Sequence, residues 1–275
     1  MPIPFEDELF RALADCTRAA GDVALGFFNT NQKTSAGIEY KAGNSPVTQA
    51  DKLANDYLHA HLRALIPGAA WLSEETLDSP ARLSADQIFI IDPIDGTRAF
   101  IAGDPRWAVS VALVRGGVPE MAVLHAPALG ETFTAVRGHG AWLNNARIAV
   151  KANSRLAGGR IAGPKPFGDA LHHSGLVFEL VPKIPSLALR FADVAAGRLD
   201  AAFASENAHE WDIAAADLIL HEAGGLLGDI DAKALRYNQP ILNHGMLFAG
   251  SQPIVADLAG MARNIRSGWP GHQNI

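Results

Sequence analysis

The segment IFIIDPIDGT, residues 88–97, is the most informative stretch of this 275-residue chain. Four apolar residues in a row are typical of a buried strand, and Asp92 follows at its carboxyl end, where ligands commonly bind in α/β architectures. Pro93 cannot continue the hydrogen-bonded ladder, so the chain turns and holds Asp95 three residues from Asp92. Two acids in a fixed turn after a buried strand predict that something cationic binds there.

Gly96 and Thr97 open a predicted short helix over residues 97–102. The free N–H groups and the positive dipole end of a helix suit a phosphate group. Donors for an anion would therefore lie beside acids for a cation, and a metal ion with a phosphate is the simplest ligand that uses both. The alternative is that Gly96 only serves the turn.

Three further segments carry acids that could join this pair: WLSEE with Glu74 and Glu75, SPVTQAD with Asp51, and EWDIAAADLIL with Asp212. Each acid has an ordinary alternative as a solvated pair, a first-turn acid or a helix N-cap. Mg²⁺ takes oxygen ligands, and two such ions can activate a water and stabilise the leaving oxygen of an in-line displacement. The acids together predict a magnesium-dependent phosphatase.

Composition and charge narrow the class of protein. With 48% apolar and 19% charged residues, the chain can build one large domain or two closely packed ones. The net charge of -6 and the lack of a Lys or Arg run argue against a nucleic-acid partner. The single cysteine, Cys16, excludes an intrachain disulfide and a cysteine-based zinc site. The acidic start of the chain and the lack of an apolar run near the ~18 residues that span a bilayer predict a soluble cytoplasmic protein that does not enter a membrane.

Hydrophobic spacing predicts two parts that differ in the order of their helices and strands. Over residues 1–150 we expect an α+β domain that carries most metal ligands, with helices at 5–28 and 48–66, a loop at 30–46, and antiparallel strands at 87–92, 107–115, 118–126 and 131–137. Over residues 151–275 we expect an α/β domain that carries Asp212 and the substrate-specificity segments. Its mixed sheet would use strands at 160–163, 175–180, 201–204 and 246–250, with helices near 186–197 and 212–224 and at the C-terminus.

Three motifs carry a resemblance to a known family. SEE (73–75), IDPIDGT (91–97) and WD (211–212) resemble, in order and spacing, the signatures of the inositol monophosphatase superfamily of lithium-sensitive, Mg²⁺-dependent phosphatases. The resemblance extends from the first helix to EAGG (222–225). It implies an αβαβα layered sandwich of the sugar-phosphatase type, a homodimer, two to three Mg²⁺ ions per site, inhibition by Li⁺, and a small phosphorylated metabolite as substrate.

The resemblance also assigns roles to individual residues. It implies that Glu74, Asp92 and the carbonyl of Ile94 bind a first metal ion, that Asp92, Asp95 and Asp212 bind a second, and that Glu74 also reaches a weaker third. Thr97 and Asp51 correspond to the pair that orients the nucleophilic water. Gly96 and Thr97 N–H groups correspond to the phosphate cradle, and Lys41 to a basic residue on a mobile loop beside the site. The implied mechanism is direct attack of a metal-activated water on phosphorus, without a covalent intermediate.

The sequence does not decide which phosphate ester is the substrate. An inositol-type monophosphatase comes first. Pro185-Ser186-Leu187 replaces the family's small-residue segment that touches inositol, and Ser186 is the candidate substrate contact in this segment. The stretch SLALR (186–190) resembles relatives that hydrolyse 3'-phosphoadenosine 5'-phosphate, which makes Arg190 a candidate recognition residue; the alternative is a solvated arginine on an amphipathic helix. DGTRAFI (95–101) resembles a motif of histidinol-phosphate phosphatases. A hypothesis from a different functional class is that the protein is a regulatory factor associated with RNA polymerase, in which the phosphatase site is incidental.

Overall fold

The structure is a computed structural model that describes residues 8–152 and 155–268. Its helices are α1 Glu8–Leu25, α2 Gln49–Leu65, α3 Thr97–Ala102, α4 Lys165–His173, α5 Leu187–Ala195, α6 Glu210–Glu222 and α7 Gln252–Gly268. Its strands are β1 Ile38–Tyr40, β2 Pro46–Thr48, β3 Ala70–Ser73, β4 Gln87–Asp95, β5 Ala108–Arg115, β6 Val118–Ala126, β7 Glu131–Val136, β8 Ala141–Leu143, β9 Ala146–Ile148, β10 Arg160–Ala162, β11 Glu179–Leu180, β12 Ala201–Ala204, β13 Ala208–His209, β14 Leu226–Gly228, β15 Asn243–His244 and β16 Leu247–Gly250. Short 3₁₀ helices lie at Ala42–Asn44, Pro80–Ser84 and Pro127–Leu129.

The larger sheet has seven strands in the order β3-β4-β5-β6-β7-β8-β9. β3 runs parallel to β4, and the remaining neighbours are antiparallel. Phe89 and Ile91 pack in the core beneath α1 and α2, whereas Ile88 and Ile90 face the core that contains α5 and α6. Both faces of β4 are thus covered, which explains why the strand is a continuous apolar run rather than an alternating one.

The second sheet has the order β11-β10-β12-β16-β14 and is mixed. β10 is parallel to β11 and β12, and β16 is antiparallel to β12 and β14. One face packs against α5 and α6, and the other packs against α7 and Leu171 of α4. Helices and sheets therefore alternate in five layers, which confirms the predicted αβαβα sandwich with a mixed second sheet.

Helix α6 is the central element of the sandwich. It contacts β4, β5, β6 and β7 of the larger sheet as well as β14 of the smaller one. The apolar residues inside α6, such as Ile213, Leu218 and Ile219, are completely buried. The predicted boundary near residue 150 falls between β9 and β10, but one hydrophobic core includes residues from both sides of it. The division into two domains stays a prediction.

Several elements differ from the sequence predictions. The segment 30–46, predicted as a loop, contains β1 and most of a two-stranded ribbon with β2, which turns through the left-handed residues Gly43 and Asn44. β3 and α4 were not predicted. The strand predicted at 175–180 is reduced to Glu179–Leu180, because α4 runs to His173 and Gly175 then turns the chain with φ of +90°. Residues 5–7 of the predicted first helix lie outside the described residues. In the described part of the chain, no helix combines the length and the apolar character that crossing a membrane requires.

Candidate metal centre

The centre begins where β4 ends. The pairing of β4 with β5 shifts register between Asp92 and Asp95, so the strand bulges at the DPID turn. Such bulges re-aim side chains at the end of a strand. The Oδ1 atom of Asp92 accepts the Ile94 N–H at 2.9 Å, and both acids are nearly inaccessible to solvent.

Helix α6 brings the third acid. Asp212 lies in its first turn, and its Oδ2 atom accepts the backbone N–H of His209 at 2.9 Å. Asp92, Asp95 and Asp212 each offer a carboxylate oxygen, and these oxygens lie within 4.8 Å of one another. The sequence did not single out His209, which also stacks on Trp211 with ring centroids 4.6 Å apart.

The electrostatics of this cluster fit a divalent cation. Burial is the main cause that raises the pKa of Asp92 well above its usual range, and the charge of Glu74 adds to it. For Asp212, burial again raises the pKa well above its usual range, with the charge of Asp95 as the second cause. Burial raises the pKa of Asp95 to about 6, although hydrogen bonds from Ser186 and the start of α5 oppose the shift. Oxygen-only ligands are those that Mg²⁺ prefers, and a cation would relieve the repulsion between the carboxylates.

Asp51 and Thr97 lie together beside the cluster. Asp51 is completely buried; its Oδ2 atom accepts from the backbone N and the Oγ1 of Thr48 at 2.8 and 2.6 Å. Its Oδ1 atom lies 3.3 Å from Thr97 Oγ1, which is also 3.1 Å from the Ile94 carbonyl oxygen. Burial raises the pKa of Asp51 to about 7, despite the opposing hydrogen bonds from Thr48. A carboxyl with such a pKa can accept or release a proton near neutral pH.

Gly96 precedes α3 in a conformation that requires glycine. Its φ is +96°, and a Cβ at this position would lie 3.3 Å from the Arg106 carbonyl oxygen and 3.4 Å from Ser186 Cα. The chain can therefore turn from β4 into α3 while it passes close to the start of α5.

Lys41 contacts the two glutamates that follow β3. Its Nζ atom lies 3.2 Å from Glu74 Oε1 and 2.7 Å from Glu75 Oε1. Partial burial lowers the pKa of Lys41, but the two glutamates outweigh it and raise the pKa overall. Glu74 is close enough to the aspartates to raise the pKa of Asp92. Lys41 thus balances negative charge at the edge of the cluster.

Ser186 and Arg190, both predicted to contact substrate, lie one helical turn apart at the start of α5. Ser186 is completely buried and donates its hydroxyl proton to Asp95 Oδ2. Arg190 is 8% exposed and donates to the carbonyl oxygens of Phe203 and Ile184, so the alternative of a solvated arginine is wrong. The alanines and the leucine around it on α5 are buried as well.

A cavity of about 840 Å³ opens beside Asp212. Arg190 lines it, together with Lys165 from the start of α4 and Lys183 from the segment before α5. The Nε atom of Arg190 is buried and makes no hydrogen bond within the described ranges. Sequence reasoning missed the two lysines, because neither belongs to a motif and only the tertiary fold brings them to Asp212.

Comparison with known proteins agrees with this arrangement. A model of the inositol monophosphatase family matches residues 6–265. The inositol-1-monophosphatase of Mesorhizobium japonicum is 35% identical over 226 residues, which are 79% of this chain and 82% of that protein. The crystal structure of extragenic suppressor protein suhB from Bartonella henselae matches with a TM-score of 0.80 at 28% identity, covering 96% of this chain and 100% of that one. CysQ from Bacteroides thetaiotaomicron matches with a TM-score of 0.73 at 25% identity, over 90% of this chain and 98% of that one.

The family match spans nearly the whole chain. The matched residues include the five-layer fold and the three clustered aspartates. The relatives have different names, so they fix the family and its phosphatase, metal-binding character rather than one substrate. This chain belongs to the inositol monophosphatase family.

Proposed function

We propose that this protein is a Mg²⁺-dependent phosphomonoesterase that hydrolyses a small, inositol-type phosphate ester by direct attack of water. The observation that carries the proposal is the group of oxygens from Asp92, Asp95 and Asp212 within 4.8 Å of one another, next to the Asp51–Thr97 pair. Mg²⁺ would be held by these three aspartates, by Glu74 and by the Ile94 carbonyl. When bound, it would lower the pKa of a water and neutralise charge on the leaving oxygen.

The chain's own groups would handle the proton and the phosphate. Asp51, with a pKa raised to about 7 by burial, would accept a proton through the Thr97 hydroxyl, 3.3 Å from its Oδ1. General-base assistance of this kind contributes roughly 10²–10⁴-fold to a rate. The N–H groups of Gly96 and Thr97 would contact the phosphate, and Lys41 would balance charge at Glu74.

The proposal is tested by phosphate release from inositol 1-phosphate, 3'-phosphoadenosine 5'-phosphate and histidinol phosphate, assayed in parallel with Mg²⁺. We expect release from at least one ester, loss of release with EDTA, and loss in Asp95→Asn. Asp56→Asn, at an exposed acid on α2, is the matched control and should retain activity. No release from any ester by a protein that binds Mg²⁺ would contradict the proposal and favour the regulatory role associated with RNA polymerase.

A second candidate is a bisphosphate ester such as 3'-phosphoadenosine 5'-phosphate. It is supported by the cavity beside Asp212, which is lined by the cationic side chains of Lys165, Lys183 and Arg190. Arg190 donates to neutral carbonyl groups, so its positive charge is available to a second phosphate. Lys183→Met should lower kcat/KM for the bisphosphate about tenfold relative to inositol 1-phosphate, and Lys233→Met, at an exposed lysine, should not. An unchanged ratio in Lys183→Met would exclude this use of the cavity.

A further inference from the structure

Asp95 is held by a group that lies 91 residues further along the chain. Ser186, the N-cap residue of α5, donates its hydroxyl proton to Asp95 Oδ2. The Ala188 N–H donates to the same oxygen at 2.7 Å, whereas the Leu187 N–H lies 3.3 Å from Oδ1. Two donors therefore saturate Oδ2, and Oδ1 keeps only a long contact.

The Ser186 hydroxyl has no freedom to serve another partner. Its oxygen accepts the Leu189 N–H at 3.0 Å, so its single proton is directed to Asp95. The side chain is completely buried, and a Cβ added at Gly96 would lie 3.4 Å from both Ser186 Cα and Ser186 Cβ. A substrate cannot reach this hydroxyl unless α5 moves.

We infer that Ser186 is a positioning residue, which orients the Asp95 carboxylate for Mg²⁺ rather than contacting the substrate. The inference rests on the proposed metal-dependent function. With Oδ2 fixed by the start of α5, Oδ1 is the oxygen available to a cation, and the carboxylate cannot rotate without breaking two hydrogen bonds. Groups that hold a metal ligand in this way commonly affect metal affinity 10–100-fold.

The test is Mg²⁺ binding by isothermal titration calorimetry, with substrate absent, for the wild type, Ser186→Ala and Ser186→Gly. Both variants lose the hydroxyl, but alanine weakens an N-cap by about 1 kcal/mol, whereas glycine weakens it by only a few tenths. We expect Mg²⁺ affinity to fall at least tenfold in both variants. Ser84→Ala, which removes an exposed hydroxyl that donates to the Ala81 carbonyl, is the control and should bind as the wild type does.

Four outcomes overturn the inference in distinguishable ways. If the wild type binds Mg²⁺ and both variants bind it equally well, Ser186 does not position Asp95, and the proposed function stands. If affinity falls in Ser186→Ala but not in Ser186→Gly, the effect follows cap stability and the role is only structural. If KM for the ester rises while Mg²⁺ affinity is unchanged, Ser186 contacts the substrate after all. A wild type that binds no Mg²⁺ contradicts the proposed function and the inference together.

Discussion

Replacing Asp51 by asparagine should make the metal-free protein more stable at alkaline pH while removing most of its activity. The hydrogen bonds around residue 51 can survive the change: the amide oxygen can accept from Thr48, and the amide nitrogen can donate to Thr97 Oγ1. The Thr97 proton would then point to the Ile94 carbonyl, 3.1 Å away, and would no longer be passed to a carboxylate. The variant therefore separates the buried charge from the local packing.

The size of the stability effect follows from the pKa. Burial raises the pKa of Asp51 from 3.8 to about 7, so the folded state binds this proton more tightly than the unfolded state does. The stabilisation of the folded state by this bound proton is complete below pH 3.8 and is lost as pH rises to about 7. At 1.36 kcal/mol for each pKa unit, the total loss is about 4 kcal/mol. Asparagine has no such proton to lose, so the stability difference between variant and wild type should grow over this interval and then level off.

The assay is urea unfolding in EDTA at several values between pH 5 and pH 8, for the wild type and Asp51→Asn. Asp56→Asn, on the exposed face of the same helix, is the control, and it should keep the phosphate release of the wild type. Phosphate release with Mg²⁺ should fall roughly 10²–10⁴-fold in Asp51→Asn. A stability difference that stays constant with pH, or a wild type that is more stable than Asp51→Asn at pH 8, would refute the reasoning.

Three further results are expected. Mg²⁺ should raise the melting temperature more at pH 8 than at pH 6, because burial and neighbouring acids raise the pKa values of Asp92 and Asp212 and protons compete with the metal at the lower pH; scanning calorimetry with and without EDTA measures this. Lys41→Met should lower the Mg²⁺ concentration needed for half-maximal activity, because the Lys41 ammonium, 3.2 Å from Glu74, balances the same negative charge that would attract Mg²⁺; a higher Mg²⁺ requirement would contradict this charge-balancing role. Trp107→Ala should cost about 3–5 kcal/mol in urea unfolding, because the ring is completely buried against Phe100; a loss below about 1 kcal/mol would show that the site collapses.

The long, strongly patterned elements were predictable from the sequence. Thr48 as N-cap of α2 is one case: it accepts the N–H groups of Ala50 and Asp51, and Asp51 returns the contact to the Thr48 N–H. The buried strand before Asp92 is another, because its four apolar residues are covered on both faces. In these cases the deciding forces are local or depend only on burial.

The short elements and the supporting groups were not predictable in this way. The ribbon at Ile38–Tyr40 exists because Pro46–Thr48 pairs with it, and three-residue strands carry little pattern of their own. Ser186 is separated from Asp95 by 91 residues, so no spacing rule connects them. Arg190 resembles a surface residue in the sequence, and only the packing of α5 between two sheets buries it. The ligand roles of the aspartates stay predictions until metal binding is measured.

The position of α6 implies that the two sides of the centre differ in rigidity. Asp212 is carried by a helix enclosed by both sheets, whereas Lys41 comes directly after β1, a three-residue strand that is largely exposed. Opening of buried elements costs free energy close to that of global unfolding, whereas short exposed elements open at little cost. Amide hydrogen exchange should therefore be slowest in α6 and faster in β1. A change of conformation at the centre would then begin on the side of Lys41, while Asp212 keeps its position.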